Sequence, residues 1–202
     1  MLAAFPDALV AEFADGWEDR WRDFHHAIEI GPLWVGPPWE TPPAGALAVV
    51  VDPGRAFGTG AHPTTRLCLE LLLDEERGSV VDVGCGSGVL SIAAIRLGHD
   101  PVVALDVDEM AVEVAEENAR ANAVELDARV LDARTGQLPE ADLALANISF
   151  EAIELVGGRL ETRRAITAGY LANDHPRLPG FAHLARRECD GWGADLFERL
   201  AR

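Results

Sequence analysis

Residues 79–106 read SVVDVGCGSGVLSIAAIRLGHDPVVALD, and this stretch decides the fold. Ser79 to Val83 is a short apolar run of strand type that stops at three glycines, 84, 86 and 88. Val89 to Leu97 then carries apolar residues at helical spacing, and Val102 to Val107 is a second buried strand. Strand, glycine turn, helix and strand in that order make a βαβ unit, which requires a parallel sheet covered on both faces.

The same alternation continues outward. Glu109 to Ala121 reads as a helix with Val112, Ala115 and Ala119 on one face and Asp108 as its N-cap. Ala128–Leu131, Asp142–Ala146 and Arg164–Leu171 supply a third, fourth and fifth strand. A helix is expected near Leu178–Ala185, and a short antiparallel pair across Gly191 and Gly193. Upstream, Thr64 or Thr65 can cap a helix bearing Leu67, Cys68, Leu71 and Leu72, preceded by the β-branched run Leu47–Val51. Gly36 to Gly45 is a Pro/Gly-rich connection, and Ile30–Val35 is extended. Trp17, Trp21, Phe24 and Ile28 fall at helical intervals, while Trp34 and Trp39 read as packing residues. The expected fold class is α/β, doubly wound and Rossmann-like. Residues 1–45 form an amino-terminal helix and linker, and residues 46–202 the nucleoside-binding domain.

Composition removes several functions. The 202 residues carry 34 acids against 17 bases, a net charge of -17, and every base is arginine. Without lysine there is no P-loop or Schiff-base chemistry. The negative field opposes direct nucleic-acid binding and suits a basic protein partner, though an acidic surface more often serves only solubility. No apolar run approaches the roughly 18 residues of a membrane span. No basic region precedes an apolar segment at the amino terminus, and Cys68, Cys85 and Cys189 are scattered, so a reducing, cytoplasmic setting is expected. Histidines and cysteines lack metal-ligand spacing, and the sequence contains no Gly-x-Ser-x-Gly nucleophile elbow.

The chemistry concentrates around the glycines. A tight turn without Cβ atoms lets backbone approach a ligand closely. Asp106, at the end of the next strand, can accept hydrogen bonds from both ribose hydroxyls of a nucleoside. A dinucleotide fingerprint would place a third glycine at position 89, where this chain has valine. Acids flank the turn, which suits the sulfonium and amino group of S-adenosylmethionine better than a diphosphate. The stretch 52–65, DPGRAFGTGAHPTT, brackets Thr59 with Gly58 and Gly60 and runs into a helix N-terminus that can hold the cofactor's carboxylate. Asn147, at the end of the fourth strand, would face the reacting methyl group, or serve simply as a helix cap.

From about Gly16 to Leu171 the chain resembles the methyltransferases of ribosomal protein L-eleven. The resemblance rests on DGWEDRWRDFHHAIEIGPLWVGPPW, DPGRAFGTGAHPTTRLCLELL, DVGCGSGVLSIAA, LDVDEMAVEVAEENARAN and LANI. It implies S-adenosylmethionine as cofactor and contacts at Thr65, Gly84, Asp106 and Asn147, with Gly86 in the shared glycine loop. His62 and the Phe57, Gly58, Thr59 and Gly60 loop are implied nearby. It also implies a seven-stranded class I sheet, mostly parallel with its last strand antiparallel. The implied activity is N-methylation of lysine or amino-terminal amines of a basic ribosomal protein; no catalytic base is identified. Family members carry an amino-terminal recognition domain of which only about 15 residues could be present here. A different protein or small amine as acceptor, or a cofactor-binding paralogue without turnover, therefore remain as alternatives.

Overall fold

A computed structural model describes residues 25–52 and 62–201. Among the described residues, ten strands form two sheets, with four α-helices and a 3-10 turn (Gly157–Arg159). Strands β1 (Ile28–Ile30), β2 (Leu33–Gly36) and β3 (Leu47–Val50) make the smaller one, with β1 antiparallel and β3 parallel to β2.

The larger sheet holds β4 (Val80–Val83), β5 (Val102–Asp106), β6 (Asp127–Val130), β7 (Ala141–Asn147), β8 (Thr162–Leu171), β9 (Phe181–Cys189) and β10 (Trp192–Arg199). Their spatial order is β6-β5-β4-β7-β8-β10-β9. The first five are mutually parallel, and β10 runs antiparallel to both β8 and β9. This is the seven-stranded, mostly parallel α/β arrangement expected from the sequence.

Helices α1 (Pro63–Leu73), α2 (Val89–Leu97) and α3 (Glu109–Ala121) follow the predicted spans, and Asp108 caps α3 by accepting from the Met110 N–H at 3.0 Å. Alternation along the strands sorts the core into two clusters. Val80, Leu143, Leu145 and Ile166 pack with α1 and α2, while Val81, Val83, Ala144 and Ala165 pack with α4 (Phe150–Val156). In β8 the alternation breaks: Ala168 joins the first cluster and Tyr170 the second. Gly169, at φ +102°, lies between them where the register with β10 shifts. One extra residue is the signature of a β-bulge, and it turns Tyr170 to the opposite face.

Some expectations change. Ile28, placed last on a helix, begins β1, and the rest of that helix lies outside the described residues. Leu47–Val50, within the β-branched run, forms β3 of the smaller sheet. The segment 178–185 is not helical: Phe181–Cys189 is β9, paired along its length with the buried strand β10. Leu178, Phe181, Ala182 and Ala185 mimic helical spacing, but β10 needs a partner on its free edge, and that long-range pairing overrides local pattern. The short pair foreseen at Gly191 is accordingly a hairpin of nine- and eight-residue strands. The boundary drawn after residue 45 falls within the β2–β3 connection, and Leu33 and Val35 share a core cluster with Val49.

Candidate functional site

Strand order reverses between β4 and β7, since β5 and β6 lie to one side and β8 to the other. Loops diverging there leave a crevice at the carboxyl ends of the strands, the usual ligand position in open α/β sheets. A cavity of about 400 Å³ opens at this point, lined by Gly84, Gly86 and Asp106 on one side and Asn147 and Ile148 on the other. Val107, Leu131 and Ala133 give it an apolar wall. A larger hollow of about 730 Å³ sits at the opposite ends of the strands, around Ser79, Ala141 and Thr162. It contains none of the predicted site residues.

The glycine loop is held by its own backbone and by β5. Gly84 and Cys85 donate to the Leu105 carbonyl at 2.7 and 3.0 Å. Gly86 donates to Asp106 Oδ2 at 3.0 Å, and Asp108 donates its N–H to Asp106 Oδ1 at 3.0 Å. The Asp106 carboxylate is thus fixed at the cavity wall by two backbone donors, with acceptor capacity remaining on both oxygens. Cys85 is buried, and burial together with Asp82 and Asp106 pushes its thiol well above the ordinary range, so it stays protonated.

Asp82, two residues before Gly84, is 1% exposed. Its Oδ2 accepts from the Ser91 hydroxyl at 2.6 Å, whereas its Oδ1 has no partner. Burial, with a smaller push from Asp106, raises its pKa to about 6.

On the other wall, Asn147 ends β7 and donates its side-chain N–H to Thr65 Oγ1 at 3.4 Å. Thr65 is buried in the first turn of α1. This bond joins two predicted site residues separated by 82 positions. Asn147 is not the cap of the following helix; Ser149 is, accepting from Ala152 N–H at 3.3 Å. The Asn147 Oδ1 is buried without a partner. His62 caps α1 through its ring nitrogen, accepting from the Thr64 N–H at 3.3 Å, and meets Trp192 edge-on at 4.7 Å between ring centroids. Burial lowers its pKa, which keeps the ring neutral near pH 7. Phe57, Gly58, Thr59 and Gly60 lie outside the described residues.

Ile148 is a site residue that spacing did not reveal. A Cβ at Gly84 would come within 2.3 Å of Ile148 Cγ2, and one at Gly169 within 2.1 Å of the Ile148 carbonyl oxygen. Both glycines are required by close approach as well as by their positive φ. Ile148 is wedged between the glycine loop and β8, and this wedge holds Asn147 at the cavity. The apolar wall was also missed; Leu131 and Ala133, immediately after β6, were its only sequence trace.

The residues fit a ligand that brings positive charge and hydrogen-bond donors. Asn147 Oδ1, at the cavity, and Asp82 Oδ1, two residues before Gly84, are orphaned acceptors, and Asp106 adds a carboxylate to the cavity wall. An anionic group at these atoms would leave them unpaired and repelled.

Comparison with known proteins agrees with this geometry. The family model described as ribosomal protein L11 methyltransferase (PrmA) matches residues 8–170. The ribosomal protein L11 methyltransferase of Alteromonas mediterranea is 44% identical over 155 residues, 75% of this chain and 51% of that protein. That of Legionella pneumophila is 35% identical over 195 residues, 90% of this chain and 68% of that protein. The crystal structure of ribosomal protein L11 methylase from Lactobacillus delbrueckii subsp. bulgaricus superposes with a TM-score of 0.73 at 27% identity, covering 86% of this chain and 98% of that one. The chain spans about half the length of several curated relatives it matches. It belongs to the ribosomal protein L11 methyltransferase family.

Proposed function

We propose that this member of the L11 methyltransferase family binds S-adenosylmethionine at the β4–β7 switch point and transfers its methyl group to an amine nitrogen of a basic ribosomal protein in the cytoplasm. One observation carries the reading: a cavity of nucleoside size at the switch point, where the Asp106 carboxylate and the buried, unpartnered Asn147 Oδ1 stand as acceptors beside Gly84 and Gly86. When bound, the cofactor supplies an electrophilic methyl on a sulfonium. In this reading Asp106 accepts the ribose hydroxyls, Gly84 and Gly86 allow backbone contact, and Val107, Leu131 and Ala133 cover the base. Asp82 and Asn147 offer oxygens to the cationic end, with Thr65 orienting Asn147 through their shared hydrogen bond. His62, and Phe57, Gly58, Thr59 and Gly60 in the segment before it, are proposed as further cofactor contacts.

The chain's main contribution is geometric. Holding an amine in line with the methyl–sulfur bond turns an encounter into an intramolecular event, worth up to about 7–11 kcal/mol in well-oriented systems. An amine with a reference pKa near 10.4 must first lose a proton. Desolvation against an apolar wall favours its neutral form, and no side chain is assigned as the base. Residues 46–202 carry the cofactor site in this proposal, and the segment before residue 46 contributes β1 and β2 to the fold.

The test is calorimetry with S-adenosylhomocysteine, followed by transfer of label from radioactive S-adenosylmethionine to ribosomal proteins lacking the modification. Micromolar binding by the wild type, about a hundredfold weaker binding by Asp106→Ala, and protease-sensitive label in one ribosomal band are expected. A folded protein that ignores the ligand sinks the proposal. Label in RNA or a small molecule keeps the cofactor and replaces the acceptor.

A further inference from the structure

The glycine loop has no side chain of its own with which to fix its course at 84, 86 and 88, so its shape depends on what grips it from outside. Its donors go to β5 and within the loop: Gly84 and Cys85 to Leu105, Gly86 to Asp106, and Gly88 to the Cys85 carbonyl at 2.8 Å. A side chain also grips its acceptor side. Asn118, on α3 and 6% exposed, donates its amide N–H to the Ser87 carbonyl at 2.8 Å. The Ser87–Gly88 peptide unit is therefore pinned at both ends, its carbonyl by Asn118 and its N–H by Cys85. The same helix presses Ala115 beneath Gly88, where a Cβ would sit 3.0 Å from the alanine Cβ.

One turn further on, Asn122, the C-cap of α3, is also buried, at 3% exposure, but its side chain does not bond the loop. It donates to the Val50 carbonyl at 2.7 Å and to the Asn118 backbone carbonyl at 2.8 Å, and accepts from the Val50 N–H at 2.8 Å, closing the free edge of β3. Two buried asparagines at the end of one helix thus hold different things. A buried amide inside a helix is unfavourable unless it is bonded, and these two meet that condition in different places.

We propose that Asn118 is a positioning residue for the cofactor: it fixes the Ser87–Gly88 peptide so that Gly86 and Asp106 keep the spacing a nucleoside requires. The assignment rests on the cofactor reading above for its consequence and on the ligand-free geometry for its mechanism. Asn122 is its built-in control: it holds β3 and the Asn118 backbone, but its side chain makes no bond to the loop.

The experiment compares Asn118→Ala and Asn122→Ala in the intact chain by amide hydrogen exchange, thermal melting and S-adenosylhomocysteine calorimetry. Both variants should melt earlier. Only Asn118→Ala should speed exchange at residues 84–88, and only it should weaken ligand binding, by about five- to tenfold. An isosteric Asn118→Asp, which places an acceptor against the Ser87 carbonyl, should behave like Asn118→Ala or worse. The proposal is overturned if loop exchange is unchanged in Asn118→Ala, or if Asn122→Ala loosens the loop and lowers affinity equally. A wild type that does not bind the ligand overturns both the cofactor reading and the proposed role, while faster loop exchange in Asn118→Ala alone would still uphold the grip on the loop.

Discussion

Two carboxylates, Asp82 on β4 and Asp195 on β10, are equally buried at 1% exposure, and their surroundings are opposite. Asp195 is saturated. Its Oδ1 accepts from His183 Nε2 at 2.7 Å, and its Oδ2 from the Tyr170 hydroxyl and Arg186 Nη1, both at 2.7 Å. Arg186 also holds the Ala172 and Asp174 carbonyls, and the Tyr170 hydroxyl meets Thr167 Oγ1 at 2.8 Å. Asp82 has Ser91 on one oxygen and nothing on the other, and burial raises its pKa to about 6. A fully bonded buried network rigidifies the fold, whereas a partly bonded one costs stability. Proteins tolerate the second kind where a ligand completes it. The β8–β10 cluster spends its charge on architecture, and the β4 carboxylate keeps half of its bonding capacity in reserve.

That contrast can be broken most forcefully at Asp195. Asp195→Ala strands Arg186, Tyr170 and His183 and should cost about 3–5 kcal/mol in urea unfolding, by analogy with other broken buried pairs. S-adenosylhomocysteine affinity of the folded fraction should stay within about twofold. A collapse of affinity alongside stability would show that the two regions are one unit.

Asp82→Asn should act in the other direction. The folded pKa of about 6 stands above the ordinary 3.8, so the folded state binds the proton more tightly than the unfolded chain. The penalty is complete above about pH 6 and is relieved as pH falls from there toward 3.8. Removing the charge should raise stability at pH 7 by up to about 3 kcal/mol, flatten its dependence on pH between those limits, and weaken ligand binding. Denaturation midpoints across that pH range, paired with calorimetry at pH 7, check both halves. Lower stability with unchanged affinity would erase the distinction between the clusters.

The smallest effect sharpens the comparison. His183 is about half exposed, with a side-chain exposure of 50%, and is one of three partners of Asp195. His183→Ala should cost about 1 kcal/mol or less, because two hydrogen bonds still satisfy the carboxylate. A shift of the thermal midpoint as large as that of Asp195→Ala would mean the histidine, not the tyrosine or arginine, anchors the cluster.

The part of the chain built from consecutive elements was readable from sequence. From Val80 to Ala121, strand, loop and helix boundaries fall within a residue of expectation. Propensity, capping and periodicity all agree there. Legibility fails where pairing is distant: β9 looks helical until β10 is beside it, and β3 belongs to a sheet completed by residues before the Pro/Gly connection. The site divides the same way. Asp106 and the glycine loop announce themselves by spacing, and Thr65 with Asn147 by resemblance. Ile148 became visible only through its contacts with Gly84 and Gly169, which are remote from it or from each other in sequence. Asn118 had a trace: two asparagines four apart at the end of a helix, both buried.

The bulge at Gly169 has a meaning for how the chain tolerates change in length. Beyond that glycine every side chain of β8 is out of phase with those before it, so one inserted residue works as a parity switch. It lets a single strand serve two clients, the helical face below Ala168 and the Asp195 cluster reached by Tyr170. Deleting one residue there would hand each side chain to the wrong client without altering the composition of the strand. The division of labour between the two carboxylates is therefore written as a count of residues, and only secondarily as their identity.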